Sequence, residues 1–343
     1  MSNSFNFAKK KLDENQYEWL VTGGAGFIGS NLIEFLLKNG QKVRALDNFI
    51  TGKKKNIDEI IKVSSSDGSL KNFQFIEGDI NDLGVCYTAT KDIDFVLHQA
   101  ALGSVPRSIS DPLSTHESNV TGFLNIILAS KDNGVKNFVY ASSSSIYGDC
   151  EELEKKEEHT GKPLSPYAVS KLTNEFYASS FNTVYDFNSV GLRYFNVFGK
   201  RQDPEGEYAA VIPKWIDSMI KNEPIYINGD GSTTRDFCYI DNVVQANVLA
   251  AFAQNNALNQ VYNIALNQSI DLNQLHNIIN SNLEDKIPEY SANQALHRDF
   301  RKGDIMHSKA DITKAKRVLG YKPTKSVEEG LEELIDYQLK ENE

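Results

Sequence analysis

The fold this sequence predicts is an α/β fold, a parallel, doubly wound sheet covered by helices on both faces, and three observations point to it. The first is a change of pattern at Trp19-Leu20-Val21-Thr22, a short apolar run that ends in glycines. Ile28, Leu32, Phe35 and Leu36 then fall on one helical face until Gly40 stops it, and Lys42 to Asp47 resumes as a strand. The second is repetition, because strand patterns return at Asn72 to Ile76, Asp94 to His98, Asn137 to Ala141 and Ser189 to Arg193. The third is that helical stretches such as Val120 to Lys131 and Tyr167 to Phe181 sit between these strands, an alternation that needs crossover helices.

The remaining elements follow from the chain ends inward. Residues 1–16 are polar and read as a tail or a short helix lying against the surface. Residues 1–197 then form the sheet-building domain. Beyond residue 197 the alternation weakens, since Pro204, Gly206, Pro213, Pro224, Gly229 and Gly231 cut the chain into shorter elements. Residues 198–343 are therefore expected to form a smaller α/β lobe, with some chain returning to the first domain. Val327, Leu331, Leu334, Ile335 and Leu339 stand at helical spacing and predict a docked C-terminal helix. The mixed-charge run Glu151 to Glu158 reads as a solvated loop.

At 343 residues, 40% hydrophobic and 24% charged, the chain can bury a full core. Thirty-six Lys and Arg against 46 Asp and Glu leave a formal charge of −10, which argues against a general nucleic-acid or anionic-membrane surface. An anionic ligand then needs a local cluster of cations. Cys86, Cys150 and Cys238 are scattered, with no C-x-x-C pair, so neither a disulfide framework nor a zinc site is expected. The six histidines show no metal-ligand spacing, and His98, at a strand end, reads as structural or close to a cofactor. No stretch is apolar enough to span a bilayer, and a soluble, unprocessed cytoplasmic protein fits.

Gly23, Gly26 and Gly29 lie between a strand and a helix, as G-x-x-G-x-x-G. Glycines there let the backbone approach a pyrophosphate, whose charge the exposed N–H groups and the helix dipole stabilise. Asp47 ends the next strand about 20 residues on, where a carboxylate accepts the ribose hydroxyls of a dinucleotide. That carboxylate would repel a 2′-phosphate, so NAD is expected over NADP. Lys53-Lys54-Lys55 reads as a solvated basic loop.

Tyr167 and Lys171 are four residues apart on one helical face. Bringing a phenol from about 10 to near 7 takes roughly 4 kcal/mol of preferential phenolate stabilisation. A neighbouring ammonium and a positive nicotinamide supply that. The four residues Ser142 to Ser145 are neutral, so they cannot move the additional proton that eliminating water requires.

The loop T-G-G-A-G-F-I-G, the run S-S-S-S-I-Y-G and the Y-x-x-x-K pair together resemble the extended short-chain dehydrogenases/reductases, over nearly the whole chain. Longer segments, H-Q-A-A-L-G-S-V-P-R-S from His98, S-P-Y-A-V-S-K from Ser165, L-R-Y-F-N-V-F-G from Leu192 and N-G-D-G-S-T-T-R-D-F-C-Y-I from Asn228, resemble bacterial UDP-N-acetylglucosamine 4-epimerases. The resemblance implies a Rossmann-type fold and reversible C4 epimerisation of UDP-GlcNAc to UDP-GalNAc with retained NAD. Hydride leaves sugar C4 and returns to the opposite face of a 4-keto intermediate. It makes Tyr167, Lys171 and Ser143 catalytic, and assigns Gly23, Gly26, Phe27, Ile28, Gly29, Asp47, Asn48, Asp79, Ile80 and Gln99 to the cofactor.

For the UDP-sugar, the same resemblance assigns Gly103, Ser104, Ser142, Ser143, Ser144, Asn196, Gln202, Val211, Lys214, Trp215, Tyr226, Asn228, Arg235, Arg301, Asp304 and Ser308. Arg235 and Arg301 are the expected diphosphate cations, with Asp304 at the ribose. Ser308 stands where epimerases restricted to unsubstituted hexoses carry a tyrosine, and its small size leaves room for a 2-acetamido group. Segments 114–131 and 167–181 resemble the helices of a family homodimer, a four-helix bundle. Three alternatives stay open: UDP-GlcNAc uronate as substrate, a nucleotide-sugar dehydratase, and a silent NAD-binding regulator. The complete Ser143, Tyr167 and Lys171 set speaks against the last, and the neutral serines against the second.

Overall fold

The computed structural model describes residues 4–205, 209–292, 294–300 and 306–342. Seven strands make the central sheet: β1 (Glu18–Thr22), β2 (Lys42–Asp47), β3 (Phe73–Glu77), β4 (Phe95–His98), β5 (Asn137–Ser143), β6 (Ser189–Tyr194) and β7 (Gln260–Ile264). Their order is β7-β6-β5-β4-β1-β2-β3, and every pairing is parallel. Both faces must then be covered, because crossover helices lie on each side. Leu20 accordingly packs with Leu46, Val96 and Phe138 on one face, while Trp19 and Val21 pack with Ala45, Leu97 and Val139 on the other.

The helices that frame this sheet are α1 (Ser4–Glu14), α2 (Phe27–Lys38), α3 (Lys54–Asp67), α4 (Leu83–Thr90), α5 (Gly122–Asp132), α6 (Pro166–Tyr185), α7 (Ile240–Ala251) and α8 (Val327–Asn342). Residues of α2 and α7, such as Leu32, Leu36, Val243 and Ala246, bury against the Trp19 and Val21 face. Residues of α4, α5 and α6, including Cys86, Ile126 and Phe181, cover the Leu20 face. The N-terminal segment is a docked helix with Ala8 and Leu12 buried, and Gln41 Nε2 donates to the Leu12 carbonyl at 2.9 Å. Val327, Leu331, Leu334 and Ile335 of α8 are buried, with Leu339 partly buried beside them.

Strand order reverses at β1, whose neighbours β2 and β4 lead to opposite edges. In such sheets a crevice opens beyond the carboxyl ends of the strands at that point, and ligands bind there. Beyond residue 197 the strands are pairs of two or three residues, such as Tyr226–Asn228 with Leu296–Arg298 and Thr234–Arg235 with Ile270–Asp271. Two elements from this part nevertheless return to the sheet: α7 covers one face, and β7 pairs with β6 from Gln260↔Val190 to Ile264↔Tyr194. Arg201 ties the two regions together, its Nη2 donating to Glu34 at 2.6 Å and Glu59 at 2.8 Å. Burial alone would raise the Glu34 carboxyl, but the Arg201 and Lys200 cations outweigh it and hold the pKa down to about 2.

One expectation requires correction. The charged run Glu151 to Glu158 is not simply a solvated loop, because Lys155 and Glu157 are buried within it. Lys155 Nζ is satisfied by the carbonyls of Cys150 and Glu152, both at 2.6 Å, and Glu157 accepts the Asn263 backbone N–H at 2.8 Å. Those partners let charge sit inside without an uncompensated desolvation cost.

Candidate active site

The loop between β1 and α2 is held shut by its own backbone. Gly23 takes φ of +67°, its N–H donates to Leu46 O at 2.8 Å, and Gly26 N–H donates to Gly23 O at 3.0 Å. A Cβ on Gly29 would stand 2.1 Å from Gly23 O, so only glycine lets α2 begin this close to the strand. The first N–H groups of α2 face a cavity of about 300 Å³ lined by Gly23, Gly26, Phe27, Ile28 and Gly29, and further on by Asp47, Asn48, Ile80 and Gln99. Asp47 Oδ2 accepts from Ala25 N at 3.0 Å and its Oδ1 from Phe49 N at 2.8 Å, while burial pushes its carboxyl above the usual range. Asp79 does not line the cavity directly but fixes Asn48, whose Nδ2 donates to it at 2.8 Å. Gln99 is held by Asn247 and by the Tyr194 hydroxyl. A glycine cradle at a helix start, followed by a carboxylate at the end of the neighbouring strand, fits a dinucleotide with free ribose hydroxyls.

Ser165 caps α6 by accepting from Ala168 N at 3.2 Å, and Pro166 pre-sets the first turn. This start places Tyr167 and Lys171 against the end of β5. Ser143 sits beside the Tyr167 phenol and favours its anion, and Ser143 Oγ itself accepts from Ser145 N at 3.1 Å. Burial raises the Tyr167 phenol above its ordinary value despite Ser143. Burial likewise pushes Lys171 down to about 8, with its Nζ donating to Ala141 O at 3.0 Å. The pair alone therefore does not make a phenolate; a positive charge delivered beside it does. His98 lies beneath, bound to Thr22 Oγ1 at 2.7 Å and held neutral by burial and by Lys171, its pKa down at about 3.

The serine run divides. Ser142 is 2% exposed, and its hydroxyl donates to Glu175 Oε1 at 2.5 Å. Glu175 also takes a two-pronged pair from Arg193 at 2.9 and 2.8 Å. Ser142 was expected at the substrate; the structure instead commits it to this buried ion pair, one helical turn beyond Lys171. Ser144 opens the short turn Ser144–Tyr147, next to Ser143.

A second cavity, of about 730 Å³, gathers Ser104, Asn196, Val211, Lys214, Trp215, Tyr226, Asn228 and Arg235, half of the expected nucleotide-sugar set. Gly103 lines the first cavity and Ser104 the second, so this loop joins them. Ser104 takes φ of +108°, a strained value for a side-chain-bearing residue, while capping Arg107 N at 3.2 Å. Asn196 donates to Asp236 O at 3.2 Å. The fully buried Asp236 carboxylate in turn accepts Leu266 N at 3.0 Å and Ala310 N at 3.1 Å, with burial pushing its pKa up to about 6. Ser308 N–H donates to Thr234 O at 3.3 Å, one residue from Arg235. Gln202 is not brought to this cavity: its amide donates to Val197 O, and its side chain lines a separate cleft with Lys53 and Arg201. Arg301 and Asp304 lie outside the described residues. Sequence reasoning missed Arg298, which lines the second cavity beside Tyr226, and Glu175, whose signal was its place four residues after Lys171.

The chain belongs to the NAD dependent epimerase/dehydratase family, whose profile matches residues 19–265. NAD is the cofactor of this family. Among relatives, a putative UDP-glucose 4-epimerase of Methanocaldococcus jannaschii is 36% identical over 325 residues, covering 94% of this chain and 99% of its own. A UDP-N-acetylglucosamine 4-epimerase from Methanobrevibacter ruminantium M1, solved with UDP-N-acetylmuramic acid, superimposes with a TM-score of 0.87 at 37% identity, covering 95% of this chain and 99% of that one. The UDP-glucuronic acid 4-epimerase of Bacillus cereus, solved with UDP-glucuronic acid and NAD, gives 0.82 at 31% identity, covering 94% and 99%.

Proposed function

We propose that this chain is a UDP-N-acetylhexosamine 4-epimerase, interconverting UDP-GlcNAc and UDP-GalNAc. The observation that carries this reading is the gathering of Tyr167, Lys171 and the neutral Ser143 at the carboxyl end of β5. Bound NAD supplies a reversible two-electron acceptor, so the sugar passes through a 4-keto form without net oxidation. Tyr167 accepts the proton of the 4-hydroxyl through the Ser143 hydroxyl and returns it to the product alkoxide. Lys171 steadies the phenolate by its ammonium charge. Gly23, Gly26 and Gly29 hold the pyrophosphate, and Asp47 accepts the ribose hydroxyls.

Lys214 and Arg235 place positive charge at the diphosphate, and no Asp or Glu lines their cavity among the described residues. Ser308, tethered to Thr234, leaves space for the acetamido group. A uronate at C6 is the second reading, favoured by the same cationic lining. Incubating the protein with UDP-GlcNAc, UDP-GlcNAc uronate and UDP-Glc separates these by product NMR, and fastest turnover of UDP-Glc overturns the acetamido assignment.

The same reading includes a homodimer. Leu113 is 76% and Phe176 66% exposed, with Ile109, Val169 and Val184 exposed around them, an apolar surface that a four-helix bundle of two copies would cover.

A further inference from the structure

Arg298 stands outside every role assigned above. It closes the short strand Leu296–Arg298, which pairs in parallel with Tyr226–Asn228 in the register Leu296↔Tyr226, His297↔Ile227 and Arg298↔Asn228. The pairing is fixed at its end, where Gly229 N donates to Arg298 O at 2.8 Å and the His297 ring meets Gly229 O at 2.8 Å. Side chains alternate along a strand, so Tyr226, Asn228 and Arg298 share one face, and all three line the second cavity. The Arg298 guanidinium carbon lies 3.3 Å from the Tyr226 ring centroid. An atom that close to a centroid can only be over the ring face, since the ring's own atoms fill its plane.

We propose that Arg298 is a nucleobase-reading residue, laid on Tyr226 as a platform for the pyrimidine of the nucleoside diphosphate. The assignment rests on the UDP-sugar reading and refines one end of that site. A guanidinium is planar, stacks on aromatic faces, and carries five N–H donors fixed in its plane. With one face against Tyr226, its other face and its N–H edge remain for the ligand. The C4 carbonyl oxygen of uracil can accept from one N–H of such an edge. Cytosine carries an amino group at that position, setting donor against donor there. Lys214 and Arg235 already bring cations to this cavity, so the distinctive contribution of Arg298 is its plane rather than its charge.

The test is the affinity of the NAD-loaded protein for UDP and for CDP, measured by calorimetry on wild type, R298A, R298Q and R298K. Arg298 is exposed at the rim, so its replacement leaves the core untouched. The assignment predicts that wild type prefers UDP. R298A and R298Q lose UDP affinity about tenfold while CDP changes little, and R298K restores neither the affinity nor the preference. Equal loss for both nucleotides with rescue by R298K makes Arg298 a diphosphate cation and overturns the assignment. Unchanged UDP affinity in R298A overturns it as well, leaving the UDP-sugar reading intact. Wild-type protein that binds neither nucleotide overturns that reading, and this assignment with it.

Discussion

Replacing Gly29 by alanine isolates the cofactor loop. The new methyl would sit 2.1 Å from Gly23 O and 2.8 Å from Gly23 C, both backbone atoms, so no side-chain rotation relieves the clash. The loop must open by about 1 Å to reach ordinary contact distance, which strains the Gly23 N–H bond to Leu46 O and the Gly26 N–H bond to Gly23 O. Overpacking costs about 1–3 kcal/mol and each weakened hydrogen bond about 1 kcal/mol. A loss of about 3 kcal/mol is therefore expected, and if the pyrophosphate N–H contacts bear two-thirds of it, NAD binds about 30-fold more weakly. The control is Gly40→Ala, where no atom lies within 4 Å of the added carbon but φ is +71°. It pays only backbone strain, about 1 kcal/mol, and keeps its NAD. NAD released on denaturation, together with urea unfolding, reads both variants. Stoichiometric NAD in Gly29→Ala would refute the reasoning.

Three further outcomes follow from the same geometry. Ser308→Tyr should lower kcat/KM for UDP-GlcNAc and UDP-GalNAc selectively while sparing UDP-Glc; a uniform loss across the three substrates contradicts the steric argument. The Glu34 carboxyl is held at about 2 against an ordinary 4.5, so its stabilisation is complete above about pH 4.5 and disappears as pH falls through about 2. The stability gap between wild type and Glu34→Gln in urea should then shrink by about 3 kcal/mol from pH 5 to pH 2, and a constant gap refutes the link. Phe176→Glu, at a 66% exposed position, should turn a dimer into a monomer by light scattering without lowering the melting temperature of the protomer; a wild-type monomer disproves the assembly.

What could be read in the sequence was whatever local periodicity and glycine punctuation record. β2 runs from Lys42 to Asp47 as its alternation indicates, and the Gly23 to Gly29 loop falls between a strand and a helix. α6 extends to Tyr185, four residues past the expected Phe181, because Asp186 closes it in a left-handed conformation that hydropathy does not signal. β7 escaped notice because Gln260–Ile264 is a short run holding Gln and Asn, buried only through pairing with β6. The Ser142 hydroxyl and Glu175 lie 33 positions apart, and nothing in either local stretch announces that they meet. Arg298 reaches Tyr226 only through strand pairing across about 70 residues, a contact that no motif spacing encodes.

The central claim is that NAD stays in place while one hydrogen leaves C4 of the sugar and the same hydrogen comes back. Turnover of UDP-GlcNAc in D₂O with no added cofactor tests it directly, followed by proton NMR of the product at C4. The account predicts UDP-GalNAc with protium retained at C4, and a Tyr167→Phe variant slower by about 10²- to 10⁴-fold. Deuterium at C4 of the product, or turnover that stops after a single equivalent without added NAD, would contradict it.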